Sequence, residues 1–123
     1  MAKKKNRVSP TPFTDKQKAS NDWNPLWEEF QKLHPEFLEG FLAFRSIPHG
    51  DGPLPPKVKE LIMIALNACT THLYAPGVRR HIQNAIHAGA TRAEILHAIE
   101  LTTVVGIHSC NLAIPILLEE MPE

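Results

Sequence analysis

Three histidines in this chain, His72, His81 and His108, stand among apolar residues of helical spacing instead of on a charged surface. Imidazole changes charge near neutral pH, so such a placement points to proton transfer or metal binding. Glu60 joins them, because it falls partly on the packed side of an apolar helix, where a carboxylate rarely lies without a partner. Cys69 precedes His72 by three residues and Cys110 follows His108 by two, which sets each thiol beside an imidazole, as nucleophilic cysteine chemistry requires. One carboxylate with two or three imidazoles also suits zinc or iron, but no close pair such as His-x3-His marks a site, so no metal and no cofactor are expected. The cysteines lack a Cys-x-x-Cys spacing and are expected to be free thiols in a core. His34, His49, His87 and His97 fall in loops or on polar faces and are given no catalytic role.

The elements that must position these groups are helical. Asn24-Pro25 reads as a helix cap followed by proline at the first helical position, with Leu26, Trp27, Phe30 and Leu33 behind it. His34-Pro35 opens a second helix carrying Phe37, Leu38, Phe41, Leu42 and Phe44, and residues 48–53 read as a loop. Leu54-Pro55-Pro56 starts a longer helix on which Val58, Leu61, Ile62, Ala65 and Cys69 form one stripe, extending toward His72. Glu60, Ile64, Asn67 and Thr71 form the stripe beside it. Pro76-Gly77 reads as a turn, followed by a helix with His81, Ile82, Ala85 and Ile86 that ends at Gly89. Thr91-Arg92-Ala93-Glu94 is a capping-box pattern for a helix reaching about Gly106. A last apolar helix spans residues 109–119, with Pro115 expected to bend it. No sustained alternation marks a strand, so the fold class is all-α, a bundle of five to six short helices.

With 123 residues there is room for one modest helical domain, assigned to residues 23–123. Residues 1–22 are polar and rich in Lys, Ser, Thr and Pro, and are expected to form a disordered or loosely attached arm. Thirteen basic residues balance thirteen acidic ones, and the only dense basic cluster is Lys3, Lys4, Lys5 and Arg7, too small a field to imply nucleic acid. Val8-Ser9-Pro10-Thr11-Pro12 follows that cluster where a signal peptide would need an apolar run, and no unbroken apolar segment reaches the length of a membrane span. A soluble, cytoplasmic protein with no membrane partner is the expectation.

The strings Leu54-Pro55-Pro56-Lys57-Val58-Lys59-Glu60-Leu61-Ile62 and His81-Ile82-Gln83-Asn84-Ala85-Ile86-His87-Ala88-Gly89-Ala90-Thr91-Arg92-Ala93-Glu94-Ile95 resemble the carboxymuconolactone decarboxylase family. The resemblance covers roughly residues 54–115 and implies the all-helical alkylhydroperoxidase D-like fold, with subunits assembled into a homo-oligomer, a trimer or a hexamer. Redox members of that family use Cys-x-x-Cys-x3-His with an upstream glutamate. Glu60 and His81 match the glutamate and the histidine, but the cysteine positions fall near residues 72–77, which hold none. Decarboxylase members keep the histidine, again His81, and place a glutamate shortly before it where this chain has Pro76, Gly77 and Val78. Their Gly-x-Pro is replaced here by Gly106-Ile107-His108.

The resemblance therefore implies a lyase working on a small-molecule substrate, decarboxylating or isomerising a small carboxylate or lactone. His81, Glu60, His72 and His108 are its candidate acid–base groups, and Tyr74, Thr71 and Cys110 are candidates for contact with substrate. The alternative is peroxidase-type thiol chemistry through Cys69 or Cys110. A further alternative is an oligomeric ligand-binding protein without turnover.

Overall fold

Proline placement sets most of the helix starts. A proline in the first turn loses no intrahelical hydrogen bond and arrives with its φ already helical. The structure, a computed structural model, describes residues 8–20 and 22–122. Its helices are α1 (Pro12–Lys18), α2 (Trp27–Leu33), α3 (Pro35–His49), α4 (Pro56–Ala68), α5 (Ala75–His87), α6 (Arg92–Glu100) and α7 (Val104–Glu120), with a 3-10 turn at Leu101–Thr103. No strand occurs among the described residues. The chain divides into two units, Met1–Pro53 and Leu54–Glu123.

In the first unit α1 and α2 both pack on α3, whose Leu38 and Leu42 are buried. Part of the expected arm is thus ordered, since residues 12–18 form α1, while the basic cluster at residues 3–7 lies outside the described residues. The reason is a carboxylate supplied from another helix. Thr11 makes no side-chain cap, and Glu39 of α3 instead accepts from the Phe13 amide at 2.8 Å, the Thr14 amide at 2.8 Å and the Thr14 hydroxyl at 2.7 Å. Orphan N–H groups at a helix start are thereby satisfied by a negative charge placed at the positive end of the dipole. α2 begins at Trp27, two residues later than the Asn24-Pro25 pattern suggests, because Asn24 spends its side chain on a turn, accepting from the Leu26 amide at 3.0 Å. α3 runs through Pro48 to His49, so the loop is shorter at its start than the prolines imply.

In the second unit Ile64 of α4, Ala85 of α5 and Ile95 of α6 form the core, with Leu61, Ile82, Ala90 and Ile99 packed against it. α5 ends as the sequence reads. Gly89 takes φ 87°, its amide reaches the Ile86 carbonyl at 3.0 Å, and the Ala90 amide reaches the Ala85 carbonyl at 2.8 Å. The capping box of α6 is also present, with the Glu94 amide donating to Thr91 Oγ1 at 3.2 Å and the Thr91 amide to Glu94 Oε2 at 2.8 Å. The break expected near Gly106 is absent. The chain tightens at Leu101–Thr103 and α7 continues through Gly106 and Pro115.

α7 packs against the 3-10 turn, and every residue from Val104 to Glu120 is exposed. Val104, Ile107, Leu112, Ile114, Leu117 and Leu118 are each more than half exposed. The joined helix Arg92–Glu120, 29 residues with a window hydropathy of 1.7, is long and apolar enough to cross a membrane by length and composition. Thr, His, Ser and Asn residues interrupt its apolar run, which is why no unbroken segment shows in the sequence.

Burial opposes ionisation of Glu39, but the Thr14 hydroxyl and the Phe13 and Thr14 amides outweigh it and hold its pKa below the ordinary glutamate value. A lowered folded pKa gives stability that is present above the unfolded value and lost as pH falls through the folded one. Substitution Glu39→Ala is expected to cost about 1–2 kcal/mol and to abolish protection of the Phe13 and Thr14 amides in hydrogen exchange. The same protection fades in the unsubstituted protein as acid protonates Glu39; exchange indifferent to both changes would refute this account of α1.

Candidate active site

α4 and α5 form an antiparallel pair, tied at one end by the Tyr74 amide donating to the Asn67 carbonyl at 2.8 Å. At the other end the first turns of α4 carry Glu60 and the middle of α5 carries His81. The buried side of α5 consists of Gly77, His81 and Ala85, spaced by four residues. Small residues therefore flank the imidazole one turn before and one turn after it, which lets the backbones approach and leaves His81 as the large group between them. Pro76-Gly77 is the first turn of this helix and not a turn between helices, so His81 stands mid-helix instead of near its start. The reversal of the chain lies at residues 69–74, where Leu73 adopts φ 46° and the amides of His72 and Leu73 reach the Cys69 carbonyl at 2.9 and 3.0 Å.

His81 Nδ1 lies 2.6 Å from Glu60 Oε2. The His81 side chain is 4% exposed and that of Glu60 17%. A carboxylate oxygen at this distance can only accept, so the imidazole places a proton on Nδ1 and donates it. In the neutral ring Nε2 is then the lone-pair nitrogen. His81 Nε2 is buried and has no hydrogen-bond partner among the described residues. An unsatisfied buried polar atom costs about 1–3 kcal/mol. Glu60 thus holds the imidazole ring in one orientation, the geometry that a carboxylate-oriented general acid or base requires.

The remaining sequence candidates stand apart from this hydrogen bond. His72 is exposed in the α4–α5 reversal, its ring 5.5 Å from that of Tyr74, which is half-buried. Thr71 is exposed, with its hydroxyl 3.3 Å from Cys69 Sγ, and Cys69 also donates to the Leu66 carbonyl at 3.1 Å. His108 and Cys110 are exposed on α7. Cys69 and Cys110 are both free thiols, Cys69 half-buried and Cys110 not buried at all, unlike the core positions expected of them. Among the described residues no group of three His, Cys, Asp or Glu side chains is gathered as a metal site would need.

A second charged pair frames the unit. Lys57 Nζ lies 2.9 Å from Glu94 Oε1, and the Thr91 amide together with Lys57 holds the Glu94 pKa below its ordinary value. Beside it an apolar groove of about 280 Å³ is lined by Val58, Leu61, Ile62, Ala65, Ala98 and Leu101, with Glu94 and His97 also on its wall. The sequence reading put Asn67 in the stripe of Glu60 and Gly77 in a turn, and gave neither a part in the site. The available signal was an asparagine sharing a helix side with Ile64, and Asn67 is indeed buried, 6% exposed.

A family model described as carboxymuconolactone decarboxylase family matches residues 35–108. A crystal structure from Burkholderia xenovorans LB400, provisionally named a gamma-carboxymuconolactone decarboxylase subunit, is similar at 37% identity with a TM-score of 0.74. That similarity covers 91% of this chain and 45% of the other, so the chain spans less than half the length of that relative. No curated protein matches the chain.

The Glu60–His81 geometry makes a spectroscopic prediction independent of any substrate. In protein labelled with ¹⁵N-histidine, the neutral His81 ring is expected to be the Nδ1–H tautomer, and Glu60→Ala to convert it to mainly Nε2–H, the form usual in water. A ring that is Nε2–H before substitution would contradict the assignment.

Proposed function

Because the chain belongs to the carboxymuconolactone decarboxylase family, we propose that it is a decarboxylase-like enzyme that uses His81 as general acid or base on a small carboxylate or lactone. The observation that supports this most directly is the 2.6 Å contact of Glu60 with His81 Nδ1, which leaves a buried and unpartnered Nε2 to act. In a decarboxylation the bond to the carboxylate carbon breaks, carbon dioxide leaves, and the electron pair remains as an enolate or dienolate. Protonated His81 delivers the Nε2 proton to that carbon, and the neutral ring regains a proton from solvent. In an isomerisation the neutral ring takes a proton from one carbon and returns it to another. Glu60 serves both cycles, since its charge stabilises the imidazolium and its oxygen keeps the ring oriented. His72 and His108 are proposed as alternative donors to the substrate carboxylate or the developing oxyanion, with Tyr74, Thr71 and Cys110 proposed to contact the rest of the molecule.

A screen of small lactones and unsaturated carboxylates, read by carbon dioxide release and by proton NMR for isomerised product, tests this reading. His81→Gln is expected to lower kcat by about 10²–10⁴-fold, and Glu60→Gln, which leaves a base but loosens its aim, by about 10–10²-fold. Cys69→Ser/Cys110→Ser is expected to retain kcat, with only KM raised where the Cys110 contact to substrate is lost. Peroxide reduction lost in that cysteine variant and unaffected by His81→Gln would replace the reading with the redox one. Tight ligand binding without turnover would leave a binding protein.

We also infer that α7 is covered by a second copy of the chain, giving a soluble homo-oligomer, a trimer or a hexamer. α7 carries no Lys, Arg, Asp or Glu between Val104 and Leu118, so water solvates it poorly on every side. The apolar groove beside Lys57–Glu94 offers a surface of matching chemistry. Light scattering coupled to size exclusion is expected to show the oligomer, and Ile114→Glu/Leu117→Glu to dissociate it. A monomer at micromolar concentration, or a chain recovered only with membranes, would overturn this inference.

A further inference from the structure

The α4–α5 pair has two rungs. Glu60 and Asn67 are seven residues apart, two turns along the same side of α4, and they face His81 and Gly77, four residues apart on the buried side of α5. At the first rung the contact is the Glu60–His81 hydrogen bond. At the second the Asn67 side chain is seated on the bare Cα of Gly77, so closely that a Cβ there would overlap Asn67 Oδ1 and stand 2.7 Å from Asn67 Cγ. The same Cβ would stand 2.7 Å from Tyr74 Cδ1.

Asn67 is not free to yield. It is 6% exposed, its Nδ2 donates to the Met63 carbonyl at 2.8 Å, and its own carbonyl accepts from the Tyr74 amide at 2.8 Å. The side-chain bond pins the amide group to the backbone of α4 itself, and the backbone bond ties the end of α4 to the cap of α5. Gly77 in turn takes no positive φ, so a turn conformation does not explain the glycine; close approach does.

We infer that Asn67 seated on Gly77 is the spacer that sets the separation of α4 and α5 at the value where Glu60 can orient His81. Asn67 and Gly77 are positioning residues, and the inference rests on the Glu60–His81 pair as the reacting centre. The contact survives only while Nδ1 and Oε2 stay within about 3.2 Å and well aligned, and it weakens steeply once the N–H···O angle falls below about 120°. A spacer about seven residues along α4 from that bond acts as a lever upon it. Adding one methyl at Gly77 pushes the first turn of α5 outward and carries the His81 ring away from Oε2.

The test reads the tautomer of His81 by ¹⁵N NMR, so it stands or falls without reference to turnover. Gly77→Ala is expected to convert most of the neutral ring from Nδ1–H to Nε2–H while circular dichroism remains helical. Gly77→Ala/Asn67→Ala, which removes the colliding amide, is expected to restore Nδ1–H. Gly77→Ala/Tyr74→Ala is the control for the other neighbour of that methyl and is not expected to restore it alone. Should Gly77→Ala fail to fold, recovery of both fold and Nδ1–H in the Asn67→Ala background supports the spacer equally. An unchanged ring in folded Gly77→Ala, or no recovery with Asn67→Ala, overturns it. Loss of Nδ1–H on Gly77→Ala in a protein that decarboxylates nothing would leave the spacer standing and retire the proposed reaction.

Discussion

One hydrogen bond across two helices organises the second unit. His81 is a titratable group with almost no access to water and Glu60 is largely withdrawn from it, so each is costly there without a partner. Placed 2.6 Å apart they satisfy each other on one side, and the surrounding residues are those that permit the approach: glycine and alanine on the same face of α5, and Ile64, Ala85 and Ile95 as the packed floor. The pair leaves one polar atom over. Among the described residues His81 Nε2 has no partner, where nearly all buried polar groups have one.

Charge is also used structurally in the first unit, but at a helix end. A glutamate of α3 does for α1 what a serine or threonine cap ordinarily does from within the same helix, and Glu94 does it for α6 through its own capping box. The difference lies in range. The Glu94 contact is written in four consecutive residues, whereas Glu39 lies some twenty-five residues from the amides it holds.

That difference accounts for what could be read in the sequence. Local signals were legible: the Thr91–Glu94 box, the left-handed Gly89, the prolines that open α3 and α4, and the absence of strands all follow from short-range rules. The order of α1 was not, because its stabilising carboxylate is remote in sequence. Pro76-Gly77 misled for a different reason. The dipeptide suits a turn and a first helical turn equally, and only the fit of Asn67 against the missing side chain decides between them. Glu60 and His81 could each be singled out as buried groups in need of partners; that they meet each other is a property of how α4 and α5 pack.

The independence of α7 from the core has a consequence for how such a chain changes over time. Ile64, Ala85 and Ile95, with the residues packed on them, all belong to α4, α5, α6 or the segment between them, so α7 adds nothing to the buried cluster that holds Glu60 against His81. Substitutions along α7 therefore leave that cluster untouched, while substitutions along α4 and α5 act on it directly. The surface of α7 and the packing of α4 against α5 occupy separate stretches of one short sequence, and each can vary without disturbing the other.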